Sequence, residues 1–166
     1  MKHRVISVLM DNTPGVLSRI SGLFSRRSYN IESITAGVTA NPNITRMTIV
    51  CGAEDDLVLE QIIQQVAKLV DVRHIKVLEP GDSVNRELMM VKVKAMPEDR
   101  QNISTIAQIF RASIIDVGKD SMIIELTGEQ SKLEAFLNIL GEYPILEVAR
   151  TGLAGLSRGS DDVKFF

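Results

Sequence analysis

The 166-residue chain has one cysteine, Cys51 in "MTIVCG", which excludes an internal disulfide and any CxxC redox or metal pair. Its apolar setting predicts a small buried core residue. Charge of one sign is missing too: 19 Lys and Arg against 21 Asp and Glu leave a net charge of -2, with a pI near 5.7. Such a chain has no basic field for phosphates or anionic lipid heads, so general nucleic-acid or membrane-surface binding is disfavoured. No uncharged apolar run reaches the roughly 18 residues that a membrane span needs, and no basic-then-apolar leader opens the sequence. The expected compartment is a reducing cytoplasm.

Catalytic signatures are absent as well. GxSxG, P-loop and GxGxxG patterns do not occur. His3 and His74 fall within predicted strands and lack ligand-spaced partners of the HxxxH kind, so no metal site is expected. The densest carboxylates, Glu54, Asp55 and Asp56, open a predicted helix, where capping and the helix dipole account for them.

What is present is a repeated order of elements. Residues 3–10 read as a strand and 14–28 as a helix with Val16, Leu17, Ile20, Leu23 and Phe24 on one stripe. Strands over 30–40 and 45–52, a helix over 55–69 and a strand in "DVRHIKVLE" complete a βαββαβ unit. After the break "EPGDS" the order recurs: a strand in "VNRELMMVKVKAM", a helix over 98–112, strands in "SIIDVG" and "SMIIELTG", a helix over 129–141, and a strand in "ILEVARTG". The fold class is therefore α+β, two tandem ferredoxin-like βαββαβ sandwiches. The expected boundaries are a domain over 1–79, a linker over 80–83, a second domain over 84–158 and a tail over 159–166, where Phe165 and Phe166 are candidate anchors. In "RVISVLM" apolar side chains point to both faces, whereas a sheet with one wet face alternates. A second domain or a second chain is expected to cover the other face or an edge.

Other proteins of this strand order can be weighed. An RNA-recognition module needs aromatics in the strand that here reads "ITRMTIVC". A metal chaperone needs CxxC. An acylphosphatase-like enzyme needs an arginine in the loop after the first strand, where the nearest is Arg19, inside the helix.

That loop, "DNTPGV" at 11–16, has two readings. As turn chemistry, Thr13 is the N-cap, Pro14 the first helical residue and Gly15 a position without a side chain. As a site, free amides at the helix start attract a carboxylate, Gly15 allows close approach, and Asp11 or Asn12 accepts hydrogen bonds from an ammonium group. A ligand bearing both groups on one carbon is an α-amino acid.

"VLMDNTPGVLSRISGLFSRRSYNIESI", with "RMTIV", "LVDVRHIKVLE", "NRELMMVKV", "FRASIIDVG", "KLEAFLNIL" and "EVARTGLAGLSRG", resembles the small, regulatory subunits of acetolactate synthase (acetohydroxyacid synthase), whose first domain is an ACT domain. Ser28 stands where glycine is common in that family. The resemblance implies an ACT domain over 1–79 that binds an effector and dimerises, and a chain without catalytic residues. The partner it implies is the catalytic large subunit, activated and made sensitive to L-valine. Thiamine diphosphate, Mg2+ and FAD would belong to that large subunit, with no cofactor on this chain. It further implies a homodimer joined sheet edge to sheet edge, with the effector between Asn12, Gly15 and Val16 of one chain and Asn30 and Ile31 of the other. "GLAGLSRG" is either a Gly-rich exit from the last strand or a docking segment. The alternative function is a free-standing amino-acid-sensing or interaction module.

Overall fold

A computed structural model describes residues 2–160; the last tail residues, Phe165 and Phe166 among them, lie outside the described residues. In chain order the elements are β1 (Lys2–Asp11), α1 (Val16–Arg26), β2 (Ile31–Val38), β3 (Ile44–Ala53), α2 (Asp56–Ala67), β4 (Val72–Val77), β5 (Ser83–Lys94), α3 (Arg100–Phe110), β6 (Ser113–Val117), β7 (Ser121–Gly128), α4 (Gln130–Leu140), β8 (Ile145–Arg150) and β9 (Ala154–Ser157). The strand orders are β2-β3-β1-β4 and β6-β7-β5-β8, with antiparallel ladders throughout. This is the ferredoxin-like arrangement, twice, as the repeated order predicts.

Two compact units result: residues up to Val84 together with those from Leu153 onward, and Asn85–Gly152. The second predicted domain, 84–158, differs at its end. "GLAGLSRG" does not simply leave the last strand: Ala154–Ser157 pairs with β5, and the Arg158 amide donates to the Asp82 carbonyl at 2.9 Å.

In the first unit, Ile6, Val8 and Met10 of β1 share one core with Met47, Ile49 and Cys51 of β3, Ile20, Leu23 and Phe24 of α1, and Leu59, Ile62 and Val66 of α2. The helical stripe is the predicted one except for Leu17, which is 48% exposed. It lies at the margin of the stripe, in the helix's first turn. Asp55 caps α2 as expected, accepting from the Val58 amide at 2.9 Å. Cys51 is fully buried, and burial pushes its thiol pKa up to about 11, so it stays a neutral core residue at neutral pH.

Side chains alternate along a strand, so Ser7, Leu9, Thr48 and Val50 point away from that core. They are buried nonetheless, at 3%, 1%, 2% and 6% exposure. The central strands of the first sheet are thus closed on both faces. In the second unit β5 alternates: Met89, Val91 and Val93 join Ile124, Phe136 and Leu140 in the core, while Met90 and Lys94 are exposed.

Both units stop their first helix in the same way. Tyr29 N donates to Phe24 O at 3.0 Å and Ser28 N to Ser25 O at 3.2 Å; after α3, Ala112 N donates to Ala107 O at 2.8 Å and Arg111 N to Gln108 O at 3.0 Å. These are Schellman closures, which need a left-handed residue, and Ser28 (φ 57°) and Arg111 (φ 56°) fill it. The left-handed backbone explains why a glycine suits position 28.

Candidate functional site

The turn between β1 and α1 departs from its predicted capping. Gly15, not Thr13, is the N-cap, with φ 81° and no side-chain bond to the helix, and α1 starts at Val16 rather than Pro14. Thr13 is otherwise engaged: its hydroxyl donates to Asp71 Oδ1 at 3.1 Å and accepts from Arg19 Nη2 at 3.1 Å, while its carbonyl accepts from Val16 N at 3.3 Å. The intrahelical ladder begins with Arg19 N donating to Gly15 O at 3.0 Å. The first-turn amides of Leu17 and Ser18 precede that ladder, and the carbonyls one turn back are engaged elsewhere, Thr13 O by Val16 N and Pro14 O by Arg19 Nη1. Only glycine takes Gly15's left-handed backbone without strain, and a Cβ there would stand 3.3 Å from Arg19 Nη1.

The two acceptors predicted for an ammonium group are already partnered. Arg73 grips the Asp11 carboxylate through Nε at 2.7 Å and through Nη2, which raises the guanidinium's own pKa. Asn12 Nδ2 donates to Pro42 O at 2.9 Å, its Oδ1 accepts from Thr45 Oγ1 at 3.1 Å, and its backbone N donates to Asn43 O at 2.7 Å. Asn12 therefore ties the turn to the β2–β3 connection and to the start of β3.

Arg19, which the sequence puts inside the helix, folds its side chain back over the turn. Its Nε donates to Asp71 Oδ2 at 2.7 Å and its Nη1 to Pro14 O at 3.4 Å. The Arg19 hydrogen bond, helped by Thr13, holds the Asp71 carboxyl below its usual range, so Asp71 is anionic at neutral pH. Sequence reasoning missed Asp71. Its one signal is a carboxylate at the head of an apolar strand, and only the β1–β4 pairing brings it beside the turn.

Of the five residues assigned to an effector, Asn12, Gly15 and Val16 cluster at the turn, with Val16 already 8% exposed and part of the core. Asn30 and Ile31 lie elsewhere. The Asn30 carbonyl accepts from Gly52 N at 3.4 Å, and Gly52 pairs with His3, at the opposite end of β1 from Asp11. Eight strand steps separate those ends, about 26 Å at 3.3 Å per residue. A single amino acid cannot span that distance within one chain. Among the described residues no group of three or more His, Cys, Asp or Glu is placed to hold a metal, and no helix is long and apolar enough to cross a membrane.

Residues 86–159 match the family model described as the small subunit of acetolactate synthase, and residues 6–74 match the "AHAS small subunit-like ACT domain". The chain is similar to a probable acetolactate synthase small subunit of Methanothermobacter thermautotrophicus, at 49% identity over 94% of this chain and 93% of that one. It is similar to the acetolactate synthase small subunit of Bacillus subtilis at 41% identity, over 95% of this chain and 91% of the relative. The crystal structure of the acetolactate synthase small subunit from Thermotoga maritima superposes with a TM-score of 0.89 at 40% identity, covering 96% of this chain and 99% of that one.

Proposed function

The chain belongs to the acetolactate synthase small-subunit family, and from that premise we propose that it is a non-catalytic regulatory subunit, which binds and activates the catalytic large subunit and makes it sensitive to L-valine. In this reading thiamine diphosphate, Mg2+ and FAD are held by the large subunit, and the complex works in the cytoplasm. The effector's carboxylate meets the amides at the start of α1, beside Gly15, and Asn30 and Ile31 of a second copy complete the site.

One observation carries the shared site. β1 and β2 both run antiparallel to β3, so they are parallel to each other, and β2 begins at the end of the sheet where β1 begins. Pairing two β2 edges antiparallel reverses one copy against the other. That pairing brings the start of one β2, with Asn30 and Ile31, toward the turn of the other copy. The edge itself suits such pairing: in "IESITAGV" only Glu32 is charged and there is no proline, so little guards the strand. A ligand touching both copies favours one dimer geometry by its differential affinity for that geometry, which is the physical basis for a feedback signal.

The experiment mixes the purified chain with its cognate large subunit and measures acetolactate formation across a valine titration. Higher activity together with valine inhibition is expected. A mixture that behaves as the large subunit alone, with and without valine, overturns the proposal. Sedimentation of the isolated chain checks the dimer.

A further inference from the structure

We propose that Asp71 and Arg19 form a positioning pair that holds the turn at 12–16 in its open shape for the effector, an inference that rests on the effector reading of that turn. Inside the turn only backbone bonds hold it, Val16 N to Thr13 O and Thr13 N to Asp11 O: the N-cap is a glycine with no side chain, in a left-handed conformation. The side-chain hold comes from outside. Asp71, at the entry to β4, is 9% exposed and reaches the turn three times. Its backbone oxygen accepts from Asp11 N at 2.8 Å, its Oδ1 from the Thr13 hydroxyl at 3.1 Å, and its Oδ2 from Arg19 Nε at 2.7 Å. Arg19 then closes the circuit from the helix, donating to Thr13 Oγ1 and to the Pro14 carbonyl.

A cation this close to a helix start opposes the dipole, so Arg19 is in an unfavourable place unless an anion compensates it. Asp71 is that anion. With side-chain exposures of 41% and 11%, the guanidinium faces outward and the carboxylate is buried behind it. Nη1 borders the space next to Gly15 that a Cβ would have filled. The planar fork of arginine makes this geometry specific, because it serves Asp71, Thr13 and Pro14 at once, where an ammonium group has no such fork. The pair thus fixes the turn that presents the first-turn amides.

The test uses the full chain and two readouts. Without ligand, amide hydrogen exchange at Asp11, Thr13 and Val16, whose amides are hydrogen-bonded at the turn, is expected to quicken about tenfold in Asp71→Asn, while β3 amides stay as in wild type. By calorimetry, the valine dissociation constant is expected to rise about tenfold in Asp71→Asn and in Arg19→Gln, with the double variant no worse than either. Arg19→Lys keeps the charge without the fork and is expected to restore less than half of that loss. A lower melting temperature with unchanged exchange at the turn and unchanged valine affinity overturns the proposal, because it marks a role in stability alone. If wild type binds no valine while exchange at the turn still responds to Asp71→Asn, the hold on the turn stands and the effector reading falls.

Discussion

The two sheets share one strand order and differ in how many faces they close. In the first, Leu9 points away from the helix-side core and is 1% exposed; in the second, Met90 points away from its core and is 38% exposed. The difference is rooted in the sequence, since "RVISVLM" is apolar on both faces apart from Arg4 and Ser7, whereas "LMMVKVK" sets Lys92 and Lys94 against Val91 and Val93. Burial on both faces stabilises the first sheet twice over and makes it intolerant of truncation. Leu9→Ala is expected to cost about 2–5 kcal/mol in urea unfolding, and Met90→Ala about 0.5 kcal/mol or less. Should Met90→Ala cost as much as Leu9→Ala, the open face of the second sheet is covered in solution, and the contrast between the sheets disappears.

The turns that leave the first strand of each unit make a second contrast. In the first unit the turn ends in Gly15, with the Arg19 guanidinium beside it. In the second it reads "AMPED", where Asp99 is the N-cap and accepts from Met96 N at 3.2 Å, with Glu98 next to it. At the first turn the carboxylates of Asp11 and Asp71 are each paired with an arginine and the helix start itself carries no acid, whereas the second helix start carries Asp99 and Glu98. Only the first suits an anionic ligand, although the topology is the same. Gly15→Asp gives the first turn the charge of the second. Its carboxylate would occupy the ligand's place and pair with Arg19, so the valine concentration for half-inhibition of the holoenzyme should rise roughly 10- to 100-fold, about 1.5–3 kcal/mol. Circular dichroism and thermal melting check that the variant is folded. An unchanged half-inhibition value removes this turn from the effector site.

Element order, strand identity and most of the core are legible in the sequence because they depend on local periodicity: Ile20, Leu23 and Phe24 recur at helical spacing whatever the rest of the chain does. The site is legible only in part. Gly15 is a local signal, but the engagement of Thr13 is not, because its partner Asp71 is 58 residues away and arrives through strand pairing. Arg19 reads as a residue committed to its helix, yet a long side chain on the first turn reaches back past the helix start. Asn12 reads as a free acceptor because its partners, Pro42 in the β2–β3 connection and Thr45 at the start of β3, are not placed beside it by sequence alone. The strand β9 escapes sequence reasoning for a related reason: four residues, "AGLS", without a β-branched or aromatic side chain have little strand propensity, and pairing with β5 makes them a strand.

The smallest contrast lies at the closures of α1 and α3, where Ser28 and Arg111 adopt nearly the same left-handed backbone and make equivalent hydrogen bonds. A non-glycine residue in that region costs roughly 1–2 kcal/mol, and a glycine gives back part of the gain through its freer unfolded chain. Ser28→Gly and Arg111→Gly should each stabilise the protein by about 0.5–1 kcal/mol, a rise of roughly 2 °C in melting temperature. The two closures lead into different strands: Ser28 comes two residues before Asn30 and the start of β2, whereas Arg111 opens onto the exposed strand β6. Equal gains show that both closures are helix stops and nothing more. A gain at Arg111→Gly with none at Ser28→Gly shows that the entry to β2 depends on the stiffness of its closure, as the proposed shared site requires of the segment that carries Asn30.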